Sequence, residues 1–403
     1  MQLRPYQVES VDFLTARRFA LLAHEMRVGK TPCAIVAAEK AGAKTVLVTC
    51  PAIAVPHWRR EFERWWKGPM PRAQVWSYDR AREEWQGGRR GAVDVFIPDE
   101  AHFAKNPTAA RTKMVYGKTG FATMAGAVWP LSGTPAPKHA AELWPMLRAF
   151  GVVKMTYDEF IHRYCRVDSL GVIRGTRVEM IPELKALLAT IMLRRTRKEV
   201  APEMPGIDFQ FLEVKPTGDA ALGVPPGLSD EDLLAWLESH PTAGQDDRIA
   251  VANAKVPALF ENIRFAIENG LLAQTVVFGW HVEPLTRLAG MLNVAGIQSA
   301  VLNGATTPRN KAIIQRQFHE GFTKVLCANI LSAGTAIDLS PARHGYFLEL
   351  DWVPGNNVQA ASRMVSMEKM DKVTADVCTW PGSMDDRVQG VLMRRVRELA
   401  LLY

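Results

Sequence analysis

The chain has 403 residues, 48% apolar and 23% charged, an ordinary globular balance with length for two or three domains. No apolar run approaches the roughly 18–20 residues that span a bilayer, and Met1-Gln2-Leu3-Arg4-Pro5-Tyr6 lacks the basic-then-apolar layout of a secretion signal. These features predict a soluble, intracellular protein with no membrane partner. A net charge of +7 and a pI near 9.2 favour a polyanionic partner without defining one. The five cysteines, Cys33, Cys50, Cys165, Cys327 and Cys378, are scattered with no C-x-x-C pair. They read as buried thiols and argue against a zinc site or a disulfide framework.

In chain order, β-rich apolar runs alternate with helical stretches twice over, the pattern of an α/β protein with parallel sheets and flanking helices. In the first half the pattern predicts strands over 19–23, 45–50, 93–97 and 127–131, with helices over 30–41 and 56–66. Residues 137–200 read as a helical, arginine-rich insertion without clear strands. Residues 201–254 turn to Pro, Gly and acids and read as a linker with one short helix over 230–238. Strands follow over 275–278, 299–302, 324–328, 345–350 and 373–379, with helices over 284–295 and 309–318. The expected organisation is a first lobe over 1–200, a linker, and a second lobe over 255–403. Trp65, Trp66 and Trp144 sit at helical spacing among apolar residues and read as core.

The first chemical signal is His24-Glu25-Met26-Arg27-Val28-Gly29-Lys30-Thr31, which lies between a strand and a helix as a phosphate-binding loop must. Arg27, Val28 and Gly29 supply loop backbone that approaches phosphate oxygens, and helix-start amides point at them. Lys30 is expected on the β- and γ-phosphates of ATP, and the Thr31 hydroxyl on Mg²⁺. His24 stands where the strict pattern has its first glycine. The second signal is Val93-Asp94-Val95-Phe96-Ile97-Pro98-Asp99-Glu100-Ala101-His102, an apolar strand ending in two carboxylates. Asp99 is expected to hold Mg²⁺ and Glu100 to orient and deprotonate the attacking water. The third is Leu131-Ser132-Gly133-Thr134-Pro135, whose hydroxyls can sense the acid pair.

This ordered set resembles the DEAH-type superfamily-two helicases, and further residues resemble their Swi/Snf-type DNA translocases. Leu3-Arg4-Pro5-Tyr6-Gln7 is similar to an adenine-reading Q motif, with Gln7 on the base. Thr49-Cys50-Pro51 with Trp58 resembles motif Ia, and Lys105-Asn106 follows the acid box as in that group. Phe160 to Cys165 and Leu193-Arg194-Arg195-Thr196 resemble the branch that contains annealing helicases. In the second half Val276-Val277-Phe278, Asn303-Gly304, Ser332 to Leu339, and Gln359-Ala360-Ala361-Ser362-Arg363 resemble the later motifs. The resemblance implies two RecA-like lobes that clasp ATP and Mg²⁺, with Lys30, Asp99 and Glu100 on one side and Arg363 as an arginine finger on the other. It implies Asp338 near the nucleotide, and His102, Ser132, Thr134, Gly334 and Gln359 as coupling residues. It places Pro51, Trp58, Lys105, Asn303, Gly304 and Ser332 on a DNA track.

The implied partner is double-stranded DNA, branched or forked forms included, gripped through phosphates without reading sequence. Arginine clusters at Arg59, Arg60, Arg64, Arg89 and Arg90, and at Arg194, Arg195, Arg197 and Lys198, are candidate phosphate contacts. Ser366 stands where motif VI has a second arginine, and Lys369 is a candidate substitute. That departure keeps open an ATP-gated DNA-binding module with weak hydrolysis, a need for a protein stimulator, or the motor subunit of a larger complex. The expected protein is monomeric, cytoplasmic if bacterial or phage-derived and nuclear if eukaryotic.

Overall fold

The structure, a computed structural model, describes residues 2–26, 28–89, 91–169, 171–200, 206–215, 227–229, 232–233, 236, 243–334, 337–365, 372–383, 386–387, 389–392 and 401. Arg27, Arg90, Ser366 and Lys369 lie outside these residues, as does most of the stretch predicted as a linker helix. The chain divides into two compact units, Met1–Pro202 with Glu398–Tyr403, and Glu203–Arg397.

The first unit is built on parallel strands: β1 (Leu21–Leu22), β2 (Thr45–Cys50), β3 (Arg72–Ser77), β4 (Val93–Pro98) and β5 (Ala125–Val128). Four of them form a sheet in the order β3-β2-β4-β5. Isolated bridges from Leu131 to Leu22 and to Asp99 join β1 to this array. Alternate residues serve opposite faces. Leu47 and Phe96 pack in one apolar cluster, whereas Val46, Val48, Val95 and Ile97 pack in another with Trp58 and Phe62. A sheet buried on both sides explains why β2 and β4 read as nearly continuous apolar runs.

Within 137–200 the chain departs from the all-helical expectation. β6 (Cys165–Val167) and β7 (Ile173–Thr176) form an antiparallel hairpin, preceded by the helix Tyr157–Tyr164 with a Thr156–Glu159 capping box. Met192–Leu193 then forms β8, parallel to β1. This two-residue strand is too short for a periodic signal, yet it fixes where β1 delivers the loop that follows.

The second unit is a six-stranded sheet in the order β11-β12-β10-β13-β14-β9, parallel throughout. Its strands are β9 (Ile207–Glu213), β10 (Thr275–Gly279), β11 (Ser299–Leu302), β12 (Val325–Asn329), β13 (His344–Phe347) and β14 (Val373–Thr379). The predicted linker is thus partly structure: Ile207–Glu213 is the edge strand on β14, and the helix Ala243–Glu268 starts before residue 255. Lys255, on that helix, is fully buried and donates to the carbonyls of Leu348, just past the strand His344–Phe347, and Cys378, tying the helix to the sheet. Thr307 caps the helix Pro308–His319, with Pro308 where a helix needs no amide hydrogen. All five cysteines are free and buried, as expected.

Candidate active site

Successive loops leave the carboxyl edge of the first unit's sheet, where parallel sheets place ligands. β1 is held on two sides, with Leu22 N donating to Pro130 O (2.9 Å) and Ala23 N to Leu193 O (2.8 Å). The loop after it ends at Gly29, whose φ of +75° starts the helix Lys30–Lys40 in the left-handed region. Only glycine adopts that conformation without strain, and a Cβ there would fall 2.4 Å from Gln7 Nε2. Gln7 is itself fixed, its Oε1 accepting from Arg4 N (2.9 Å), and Tyr6 Oη donates to Val28 O (3.2 Å). The helix Pro5–Thr15 therefore lies directly on the phosphate loop. Lys30 Nζ donates to the carbonyls of His24 (2.8 Å) and Glu25 (3.3 Å), so its ammonium sits at the loop. Thr31 follows, half-buried in the first helical turn, whose amides have no partner within the helix.

His24 occupies the place of a glycine because it is buried, not because it faces a ligand. Ser10 Oγ donates to Tyr6 O, so the 2.7 Å contact between Ser10 Oγ and His24 Nε2 makes the imidazole the donor. Burial and the nearby Lys30 charge push His24 down to about 3, which keeps the ring neutral.

Asp99 and Glu100 follow β4. Asp99 Oδ2 accepts from Trp58 Nε1 (2.7 Å), Oδ1 from Glu100 N (3.0 Å), and the Asp99 carbonyl from Tyr78 Oη (2.8 Å). Burial, then the adjacent Glu100 charge, raise Asp99 to about 6, against the Trp58 hydrogen bond and the Lys30 charge. Glu100 has φ of +50°, the one described non-glycine residue in the left-handed region. A strained conformation at this position re-aims a carboxylate that would otherwise continue the strand's alternation. Its Oε2 lies 3.4 Å from His102 Nδ1, and that nitrogen is 3.0 Å from Ser132 Oγ, which accepts Thr134 N at 3.2 Å. Glu100, His102, Ser132 and Thr134 thus form one chain of contacts. Burial and the neighbouring Lys105 hold His102 near 3, so this relay carries no imidazolium charge.

Several expected DNA-track residues are placed elsewhere. Trp58 is fully buried on Asp99 and has no face for DNA. Lys105 pairs with the buried Glu142 at 2.7 Å, spending its charge inside the unit. Of the arginines after β8, Arg194 Nη1 donates to Ala23 O (3.0 Å) and Gly133 O (3.3 Å), and Arg195 pairs with Glu9 (2.9 Å). Arg197 holds Glu25 through its backbone amide (2.8 Å) and Nε (2.6 Å). This cluster braces the phosphate loop. Arg64 and Arg89 likewise meet Glu61 and Glu84, whereas Arg59 and Arg60 are exposed on the helix Val55–Trp65. Pro51 is half-buried at the exit of β2.

In the second unit Asn303 closes a turn by accepting Ala305 N (2.9 Å), and Gly304 is exposed beside it. Ser332 is 8% exposed on the short helix Ile330–Ala333, packed and not presented. Asp338 Oδ1 accepts Ser340 N (3.1 Å), and its Oδ2 lies 3.5 Å from His319 Nε2. Gln359 is buried against Gly334, on the helix Pro354–Ser362. Arg363 follows that helix and donates through Nε (3.1 Å) and Nη2 (2.6 Å) to Gly334 O. The structure thus brings together Gly334, Gln359 and Arg363 as one cluster within this unit.

The residues in the first unit fit ATP and Mg²⁺. Each Asp99 oxygen makes one hydrogen bond and keeps a lone pair, and Lys30, Thr31 and the helix-start amides, which have no partner within the helix, flank a left-handed glycine. Sequence reasoning did not find Trp58 as a partner of Asp99, Tyr78 as a support for it, Ser10 as a partner of His24, or the bracing arginines. Each contact joins residues far apart in the chain, which no local pattern reports.

A phosphate loop, an Asp-Glu pair and a Ser-x-Thr relay on one parallel sheet, with a second parallel sheet in the same chain, define a P-loop hydrolase of the helicase class. The profile of the SNF2-related domain matches residues 6–98 and 74–219, and the chain belongs to that family. It is similar to the SWI/SNF-related matrix-associated actin-dependent regulator of chromatin subfamily A-like protein 1 of Xenopus tropicalis, 26% identical over 98% of this chain and 44% of that one. It is similar also to the DNA annealing helicase and endonuclease ZRANB3 of Mus musculus, 24% identical over 98% of this chain and 40% of that one. The chain therefore spans less than half the length of these relatives. Among solved structures, the Pyrococcus furiosus Hef helicase domain matches in fold with a TM-score of 0.54 at 14% identity, over 96% of this chain and 98% of that one. No helix among the described residues is long and apolar enough to cross a membrane.

Proposed function

We propose that this chain is a nucleic-acid-dependent ATPase that moves along double-stranded DNA and remodels it. The observation that carries the reading is the contact chain from the Asp99–Glu100 pair through His102 to Ser132 and Thr134, set beside Lys30 in a member of the SNF2-related family. Glu100 is assigned the attacking water, accepting its proton, and Lys30 the phosphate charge. Asp99 and Thr31 hold Mg²⁺, which supplies charge neutralisation on the phosphates. Gln7 reads the base, and Arg363 is assigned the transition-state charge once it exchanges Gly334 O for phosphate. Each unit grips the phosphate backbone in turn, so binding is sequence-independent. One relative's description as a DNA annealing helicase favours DNA over RNA as the track.

The test is phosphate release measured with single-stranded, blunt duplex and forked DNA and with RNA. Stimulation by duplex and forked DNA, with displacement of a third strand from a triplex, is the expected result. Turnover indifferent to any nucleic acid contradicts the reading. A second reading, an ATP-gated clamp with little hydrolysis, draws on the engagement of Arg363 by Gly334 O. It predicts nucleotide-dependent DNA affinity without turnover.

A further inference from the structure

A groove of about 700 Å³ opens in the first unit, away from the nucleotide loops. Among its lining residues Phe19 precedes β1, and Ala122 and Thr123 precede β5, so it lies toward the amino ends of the strands. Four lining residues are cations, Arg18, Lys113, Lys118 and Arg148, all of them exposed, and none is an acid. Among the described residues these four have no carboxylate partner, although the same unit pairs Lys105, Arg163, Arg174, Arg195 and Arg197 with acids. Their remaining bonds are long ones, Arg18 to Ala125 O and Arg148 to Val153 O, each at 3.5 Å. Four like charges around one concavity repel one another, and an anion in the groove relieves that repulsion.

The walls add a second requirement. Phe19 and Trp144 are half-buried and line the groove; Phe19 is stacked on Phe150 at 4.6 Å between ring centroids and carries the Arg18 guanidinium over its ring at 4.8 Å, so the aromatic surface left for a ligand is that of Trp144. The Trp144 indole N–H is already spent on Met155 O (3.0 Å), so this ring offers a ligand only its π surface. Cations along a groove beside an aromatic surface match phosphates and bases.

We infer that this groove binds a short unpaired stretch of single-stranded DNA. A duplex keeps its base faces stacked and cannot use the aromatic surface, and an acidic peptide satisfies the cations but leaves that surface idle. The volume suits a few nucleotides at most. The inference stands apart from the hydrolytic reading, because the groove shares no residue with the nucleotide loops.

The test is fluorescence anisotropy on the full chain without nucleotide, with labelled oligothymidylate and a blunt duplex of equal length. Lys113→Glu/Lys118→Glu is expected to weaken oligothymidylate binding by about tenfold and to flatten its salt dependence, with duplex affinity within about twofold. Trp144→Leu, which keeps apolar bulk, is expected to weaken the single strand alone. Oligothymidylate carrying 5-iodouracil is expected to cross-link to Trp144. Unchanged oligothymidylate affinity in both variants overturns the inference, as do equal losses on strand and duplex. So do cross-links that map only elsewhere, or an oligoglutamate peptide whose binding is lost in the double variant while oligothymidylate binding is kept. DNA-free ATP turnover, expected to be unchanged in the double variant, separates failure here from failure of the hydrolytic site.

Discussion

Asp99 sits where two demands oppose each other. The Mg²⁺-holding role proposed for it needs its carboxylate ionised, while burial and Glu100 raise it to about 6. DNA-stimulated turnover should therefore decline as pH falls through about 6, where the proton competes with Mg²⁺. Stability runs the other way. The folded chain keeps a proton on Asp99 that the unfolded chain has released, so between about pH 4 and 6 this group costs stability as pH rises. Asp99→Asn should accordingly raise the melting temperature of the ligand-free protein at about pH 7.5 and raise it little at about pH 4. An equal gain at both pH values in thermal melts contradicts this assignment. Trp58 supplies the one side-chain hydrogen bond to that carboxylate among those described. Trp58→Phe keeps the packing and removes the donor. It should raise the Mg²⁺ concentration for half-maximal turnover by about tenfold, the worth of a hydrogen bond to a charged group. Mn²⁺ titration with a non-hydrolysable ATP analogue, read by paramagnetic resonance, should show the same loss.

Among the elements, the phosphate loop depends on its neighbours more than on its own sequence. The helix Pro5–Thr15 lies against it through Tyr6 and Gln7, and Arg194 and Arg197 brace it from beyond β8. Arg197→Ala should weaken ATP binding several-fold, since Glu25 loses its charge-assisted partner. DNA affinity measured without nucleotide should stay within about twofold if that arginine is structural, because each lost phosphate contact would otherwise lower it and its salt slope.

The same elements show what could be read beforehand. β2, β10 and β12 are apolar and buried, so their spans follow from composition within a residue, whereas β13 ends at Phe347, three residues short of the expected 350. The edge strands β3 and β9 alternate polar and apolar residues, as in Arg72-Ala73-Gln74-Val75 and Asp208-Phe209-Gln210-Phe211, a half-buried strand pattern that continuous apolar runs do not reveal, so 72–77 is not among the predicted strands and 207–213 falls in the predicted linker. Lys30, Asp99, Glu100 and Ser132 were legible because phosphate and metal chemistry restricts residue type at fixed spacing. The family resemblance puts Trp58 and Lys105 on a DNA track and charge makes Arg197 a candidate phosphate contact, whereas Asp99, Glu142 and Glu25, which claim them, are distant in sequence.

At the scale of the whole molecule, each unit carries a parallel sheet whose carboxyl edge is where the proposed functional loops belong, and the net charge of +7 suits the proposed track of phosphates. Duplex binding should be insensitive to sequence and should weaken steeply with salt, with a log–log slope of about −0.9 for each phosphate neutralised. A shallow slope together with base preference, measured by titration on unrelated duplexes, would contradict backbone gripping.

The central claim is that Glu100 acts in ATP hydrolysis switched on by DNA. The most direct measurement is single-turnover phosphate release on saturating duplex, with wild type beside Glu100→Gln. ATP binding should persist in the variant while release falls by about 10²–10⁴-fold, the range for a positioned general base. Release that continues at the wild-type rate, or a wild-type rate unmoved by duplex, would contradict the account.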